Sequence, residues 1–234
     1  MAFGRLRWRA RRQAFIRLRR RIRDCILCGA YPGQVDTENV SGIDAFLCFQ
    51  ESIQSKDIGE VIEFGTAQAV PGRSTHSLAL FPNLQRSQYT MVDIKAGADV
   101  DVVADLHSLP PEWTNRYDAC IASAVFEHLE RPWIAAKEIA RILAPGGICY
   151  VSTHQTFPLH GYPRDFFRFS TDALALIFSD AGLDILAVGY ANRTKIILPP
   201  ELLVEHHLEN WNKKFPSFAI VALAAKKPES FATR

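Results

Sequence analysis

Val61-Ile62-Glu63-Phe64-Gly65-Thr66-Ala67-Gln68-Ala69-Val70-Pro71-Gly72 is the stretch from which the rest of the chain is read. A short β-type run ends in a carboxylate, and a glycine turn follows at once. A strand-end acid of this kind can hold a ligand bearing a positive amine, while the turn amides approach the ligand's backbone. Glu-x-Gly alone is common in turns, so the reading depends on what lies outward of it.

Downstream, apolar runs rich in Val and Ile recur at 89–94, 100–104, 119–123, 148–152, 185–188 and 218–225, making seven predicted strands with 61–64. Between them the period becomes helical. Trp133, Ala136, Ala140 and Leu143 mark one buried stripe, with Pro145-Gly146-Gly147 as the stop. A second helix is predicted over Ser170–Ala181, capped by Ser170 or Thr171, with Leu174, Ile177, Phe178 and Ala181 inward and Gly182 ending it. A third fits 201–211, after Pro199-Pro200. Strands alternating with helices predict an α/β, doubly wound sheet with helices on both faces and ligands at the carboxyl ends of its strands.

Two further acids fall at such ends. Asp93 closes the second run, where a carboxylate can accept both hydroxyls of a ribose. Asp105 closes the third, where it can accept a hydrogen bond from an adenine amino group. An isolated Asp more often starts a turn, but three acids at three successive strand ends are hard to assign to coincidence.

The fourth run, Tyr117-Asp118-Ala119-Cys120-Ile121-Ala122-Ser123-Ala124-Val125-Phe126-Glu127-His128-Leu129, makes the pattern specific. With Glu63-x-Gly65, Asp93, Asp105-Leu106 and the helix closing on Arg141-Ile142-Leu143-Ala144-Pro145-Gly146-Gly147, the chain resembles class I S-adenosylmethionine-dependent methyltransferases of the type 11 group over residues 58–225. The resemblance implies a Rossmann-like seven-stranded sheet with its last strand antiparallel. It also implies a cofactor site of Glu63, Gly65, Thr66, Asp93, Ile94, Asp105, Leu106 and Ser123, and it sets His128 near the methyl-transfer centre. One departure stands out: Ala67 and Ala69 occupy the second and third places of an acid-x-Gly-x-Gly-x-Gly loop. Alanine restricts positive φ, so the loop is expected to be reshaped. The same loss, with Val70, excludes a Gly-x-Gly-x-x-Gly dinucleotide fingerprint.

After the fifth run comes Thr153-His154-Gln155-Thr156-Phe157-Pro158-Leu159-His160-Gly161-Tyr162-Pro163-Arg164-Asp165-Phe166-Phe167-Arg168-Phe169. It is similar to a His-x-x-Pro-x-Asp-aromatic-aromatic-Arg-Phe pattern in a methyltransferase subgroup associated with glycan and natural-product biosynthesis. Transfer of a methyl cation to a hydroxyl needs in-line approach and a base, a task suited to histidine. His160 or His128 is the expected base and Asp165 the orienting acid, with His154, Tyr162 and Arg168 toward the acceptor. The competing reading makes Asp165 and Arg168 a structural ion pair and His160 a capping residue. The reaction expected is methyl transfer to a small-molecule or glycan acceptor, on oxygen. A non-catalytic binding module and an RNA-directed enzyme are the alternatives.

The chain's 234 residues and net charge of +2 hide an asymmetry: residues 1–23 hold ten Arg and no acid, leaving 17 basic against 25 acidic residues, a net of −8, for the remainder. Expected boundaries are a basic arm over 1–35, a connecting segment over 36–57, the methyltransferase domain over 58–228 and a tail over 229–234. Phe15, Leu18 and Ile22 on one helical face favour peripheral membrane contact of the arm. Organelle transit is weakened by its lack of Ser and Thr, and nucleic-acid contact is less favoured because the apolar stripe is not needed for it. No spanning helix or secretory signal is read, and five cysteines suit a reducing, cytoplasmic setting. No metal is expected: Cys25-Ile26-Leu27-Cys28 offers half a zinc knuckle, and only Cys48 follows nearby.

Overall fold

A computed structural model describes residues 42–161, 163–197 and 216–229. Apart from 195–197 and 216 these belong to one compact unit, 38–194 with 217–234. The basic arm, Cys25, Cys28, Tyr162 and the helix expected over 201–211 lie outside the described residues.

The unit is built on strands β1 (Val61–Phe64), β2 (Tyr89–Asp93), β3 (Val102–Val103), β4 (Tyr117–Ser123), β5 (Leu143–His154), β6 (Asp184–Thr194) and β7 (Ser217–Lys226). They form one seven-stranded sheet in the order β3-β2-β1-β4-β5-β7-β6. The pairs from β3 across to β5 are parallel, and β7 runs antiparallel between β5 and β6. The expected fold, a Rossmann-like doubly wound sheet with its last strand antiparallel, is the one observed.

Side chains alternate between two faces, as the pleat requires. Ile62, Phe64, Cys120, Ala122, Cys149 and Val151 join the buried residues of helices α2 (Pro132–Ile142) and α3 (Thr171–Asp180). Val61, Ala119, Ile121 and Ile148 face Ala45, Phe49 and Ile53 of helix α1 (Gly42–Gln54). Helix α1 thus lies within the segment read from sequence as a connector, and it covers the second face of the sheet. Helix α3 forms as predicted: the Ser170 hydroxyl accepts from the Ala173 amide at 3.2 Å, Leu174 and Phe178 are buried, and Gly182 ends it at φ +85.

Helix α2 differs from expectation in two respects. Its buried face is Ala135, Ala136, Ile139, Ala140 and Ile142, while Trp133 is 49% exposed. Pro145-Gly146-Gly147 is not its stop either, because β5 begins at Leu143 and runs through these residues. They absorb a register shift between β4 and β5, with Gly146 at φ +73. A Cβ on Gly147 would stand 2.8 Å from the Ala144 carbonyl oxygen. The two glycines make a bulge that lets a strand follow a helix without a loop.

Beyond β4 the chain turns through Phe126–His128. Phe126 is fully buried, its ring centroid 5.2 Å from that of Phe178 and 6.5 Å from that of Phe169. Truncation should leave a cavity there: Phe126→Ala is expected to cost about 3–5 kcal/mol in urea unfolding. Leu159→Ala, at a side chain 89% exposed, should stay within about 0.5 kcal/mol. Equal midpoints for the two variants would contradict this packing.

Candidate active site

In a sheet of this topology the carboxyl ends of the parallel strands form the ligand edge. At the end of β1, Gly65 has φ +77, and its amide donates to the Val92 carbonyl at 2.8 Å. A Cβ there would meet Val125 Cγ2 at 2.5 Å, so only glycine fits beneath the β4 turn. Thr66 beside it is buried.

Glu63 does not face the loop openly. Its carboxylate accepts from the Tyr89 hydroxyl and from the Ser77 amide (2.7 Å) and hydroxyl (2.9 Å). Burial, and then the Glu63 charge beside it, push the Tyr89 hydroxyl far above its ordinary pKa, so it stays a donor. Any influence of Glu63 on a ligand passes through the segment it anchors.

The reshaped loop has a physical explanation. The Gln68 side chain accepts from the Gly72 amide at 2.7 Å and donates to Asp99 at 2.7 Å, and the Ser74 hydroxyl donates to the same Asp99 oxygen at 2.6 Å. These two hydrogen bonds hold the Asp99 carboxyl below its usual value. Side chains here do the shaping that repeated glycines would otherwise do. Asp93, partly buried, accepts from the Ala67 amide and the Lys95 amide at 3.1 Å each, tying the first loop to the second.

Asp105, 54% exposed as a side chain, accepts from the His107 amide at 2.9 Å and pairs with His107 Nδ1 at 2.7 Å. Leu106 is core and Ile94 is 49% exposed. Ser123 stands exposed at the end of β4, and Ala124 after it takes φ +54.

At the ends of β4 and β5 the structure assembles a second group. Glu127 is fully buried; its Oε2 accepts from the Thr153 hydroxyl at 2.6 Å, and its Oε1 lies 3.0 Å from His154 Nε2 and 3.9 Å from His128 Nε2. Burial raises the Glu127 carboxyl, but the contacts with His154 and Thr153 outweigh it and hold the group below its ordinary pKa. The Glu127 carbonyl accepts from the Phe166 and Phe167 amides at 2.8 and 3.2 Å, docking the loop after β5 onto the β4 turn. His154, buried, stacks on Phe157 at 4.1 Å, and the ring centroid of His160 lies 4.9 Å from that of His128 and 5.2 Å from that of His154.

Asp165 and Arg168 are the ion pair that the sequence allowed. Arg168 bonds both Asp165 oxygens and also donates to the carbonyls of Phe157, Phe167 and Pro158. All five of its N–H groups are engaged inside the loop, so Arg168 shapes that loop, and meeting an acceptor would require breaking these bonds. Asp165 accepts from the His160 amide at 2.9 Å and lies 3.6 Å from His160 Nδ1, in position to orient that ring. Arg168 and then the His160 amide draw its carboxyl far below the usual range.

Sequence reasoning brought His128, His154, His160 and Asp165 to one edge but missed Glu127 at their centre. Its one signal was an acid on a half-turn between apolar residues, Phe126-Glu127-His128-Leu129.

Residues 71–151 match a family model described as a methyltransferase domain. Among curated proteins none matches the chain by sequence. Among solved structures, the chain is similar to the Burkholderia thailandensis 1,6-didemethyltoxoflavin-N1-methyltransferase bound to 1,6-didemethyltoxoflavin and S-adenosylhomocysteine, with 14% identity, 82% of this chain and 80% of that one covered, and TM-score 0.50. It is also similar to the [4+2]-cyclase SpnF (19%, 81% and 81%, TM-score 0.51) and to a protein of Bacillus halodurans described as a methyltransferase (14%, 78% and 98%, TM-score 0.52). The chain therefore carries a methyltransferase-type domain on the fold of S-adenosylmethionine-dependent methyltransferases. Among the described residues, no helix is long and apolar enough to cross a membrane.

The Asp99 clamp yields a direct expectation. In Asp99→Ala, amides of residues 67–76 should exchange with solvent faster by hydrogen-exchange mass spectrometry, while those of β4 and β5 keep wild-type rates. Because the folded pKa of Asp99 is depressed, the clamp is in place above the ordinary carboxylate range and released as pH falls through the lowered value. Unchanged exchange at 67–76 would show that the backbone holds the loop unaided.

Proposed function

We propose that this protein is an S-adenosylmethionine-dependent methyltransferase acting on a hydroxyl of a small-molecule or glycan acceptor. The observation that carries the reading is the sharing of one sheet edge: the Gly65 turn, Asp93 and Asp105 lie at the ends of β1, β2 and β3, and the histidine group lies at the ends of β4 and β5.

The residues present fit the cofactor. Asp93 spends one lone pair of each carboxylate oxygen on an amide and keeps the others for ribose hydroxyls. Asp105 is exposed and can accept from an adenine amine, with Ile94 beside that region as an apolar face. Thr66 and Ser123 would border the bound molecule. When bound, S-adenosylmethionine supplies an electrophilic methyl group on sulfonium.

The chain's own contribution is positioning. The Asp165–Arg168 staple fixes the loop, Asp165 orients His160, and His160 or His128 takes the acceptor's proton. Phe157 and Phe166, 44% and 40% exposed, and the exposed Leu159 give that loop apolar faces for a ring-shaped acceptor. The subgroup resemblance of the 160–169 segment supports a glycan or natural-product acceptor. The arm over residues 1–23 is assigned to peripheral membrane contact at the cytoplasmic side.

Calorimetric titration with S-adenosylhomocysteine tests the cofactor assignment. The wild type should bind, and Asp93→Ala should bind about 10- to 100-fold more weakly, the loss of hydrogen bonds to a charged acceptor. A folded wild type that does not bind, or unchanged affinity in Asp93→Ala, would overturn the reading. Transfer of a labelled methyl group to an RNA fraction, and to no small molecule or glycan, would shift the acceptor class to nucleic acid.

A further inference from the structure

We infer that Glu127, His128 and His160 form a binding site for one divalent transition-metal ion of the zinc and iron(II) class. Their potential ligand atoms all lie within 4.8 Å of one another. Around an ion bound at about 2.1 Å, tetrahedrally placed donors stand roughly 3.4 Å apart. The 3.9 Å between Glu127 Oε1 and His128 Nε2 is therefore nearly closed, and the widest separation needs a movement of about 1.4 Å. His160, on a loop and 21% exposed as a side chain, is the residue placed to make it.

The carboxylate is already divided as a metal ligand's would be. Oε2 is taken by the Thr153 hydroxyl, whereas Oε1 faces the imidazoles, 3.0 Å from His154 Nε2 and 3.9 Å from His128 Nε2. A buried carboxylate oxygen among imidazole nitrogens is a donor arrangement that a cation can enter.

The histidines are held as ligands are. His128 Nδ1 lies 2.5 Å from the Arg164 carbonyl oxygen, so this nitrogen carries the proton and the Nε2 lone pair faces Glu127. His160 Nδ1 lies 3.2 Å from the Pro158 carbonyl oxygen and 3.6 Å from Asp165 Oδ2. Outer partners of this kind fix the tautomer and orientation of metal-bound imidazoles. Two imidazoles and one carboxylate suit zinc, iron(II) or cobalt, whereas magnesium and calcium take oxygen ligands.

An ion here would stand at the ends of β4 and β5, next to the acceptor loop. With the ion bound, His128 and His160 would serve as ligands in place of acting as bases, and an acceptor hydroxyl at the ion's open position would release its proton to solvent more readily and become the better nucleophile. That use rests on the methyl-transfer reading; the binding itself does not.

The test uses the full chain with Cys25→Ser and Cys28→Ser, which removes the competing thiolate pair, after stripping with chelator. Calorimetry with Zn²⁺ and absorbance with Co²⁺ should give one equivalent per chain and a cobalt spectrum of nitrogen and oxygen ligation. His160→Ala and Glu127→Gln should each weaken binding at least tenfold, while His107→Ala leaves it unchanged. His160→Ala alters a loop side chain, so it reports even where Glu127→Gln fails to fold. No stoichiometric binding, or binding indifferent to His160→Ala, would overturn the inference. S-adenosylhomocysteine titrated in parallel separates the two readings: cofactor bound without metal sinks the metal site alone, and metal bound without cofactor sinks the methyl-transfer reading alone.

Discussion

A carboxylate enclosed by protein must be compensated where it stands, because removing it from water costs several kcal/mol that only close partners can repay. Glu127 imposes that constraint on half of the active edge. Its partners Thr153 and His154 come from the end of β5, so the carboxylate can be satisfied only with β4 and β5 in register. Its backbone carbonyl fixes the start of Phe166-Phe167, and Phe126 before it is locked in the core. One residue thus joins strand pairing, core packing and the shape of the loop that carries His160.

The cofactor edge is built on the opposite principle. Glu63, Tyr89 and Ser77 form an anchor around a buried carboxylate, but the loop beyond it depends on the half-buried Gln68 and Asp99 and the exposed Ser74. Exposed polar contacts are individually weak, and segments that depend on them open first. The consequence is a site with one stiff wall and one yielding wall. The loop after β1 therefore opens more readily than the β4–β5 wall, which holds its groups in fixed geometry.

How much of this was legible follows from the range of each interaction. The strands were visible because Val and Ile runs buried in a parallel sheet leave a local signal, and α3 was visible because its cap and stop are local too. On α2 and its C-cap, Ala136, Ala140 and Leu143 are buried as expected, but Trp133, apolar by composition, is half exposed, while Ala135 and Ile139 complete the buried face. Pro145-Gly146-Gly147 looks like a helix stop in isolation; only the shifted pairing of β4 with β5 shows it to be a bulge. The Gln68–Asp99 bond spans 31 residues and Thr153–Glu127 spans 26, distances over which no periodicity carries information. Glu127 was missed because a buried acid and a solvated one are the same letter.

The fold leaves the chemistry open, since similar structures include both a toxoflavin-type N-methyltransferase and a [4+2]-cyclase. Strand order brings carboxylates and a glycine turn of this chain to one edge, and a shared strand order does not fix a shared reaction. What distinguishes this chain must therefore be sought away from Asp93 and Asp105, where the side chains are its own. There it gathers a buried carboxylate, three imidazoles and an arginine staple at the ends of β4 and β5. Glu127 is held ionised by His154 and Thr153 against the burial that opposes its charge. A carboxylate held ionised among imidazoles is suited to meet something positive, whether a proton taken from the acceptor or a cation that polarises it.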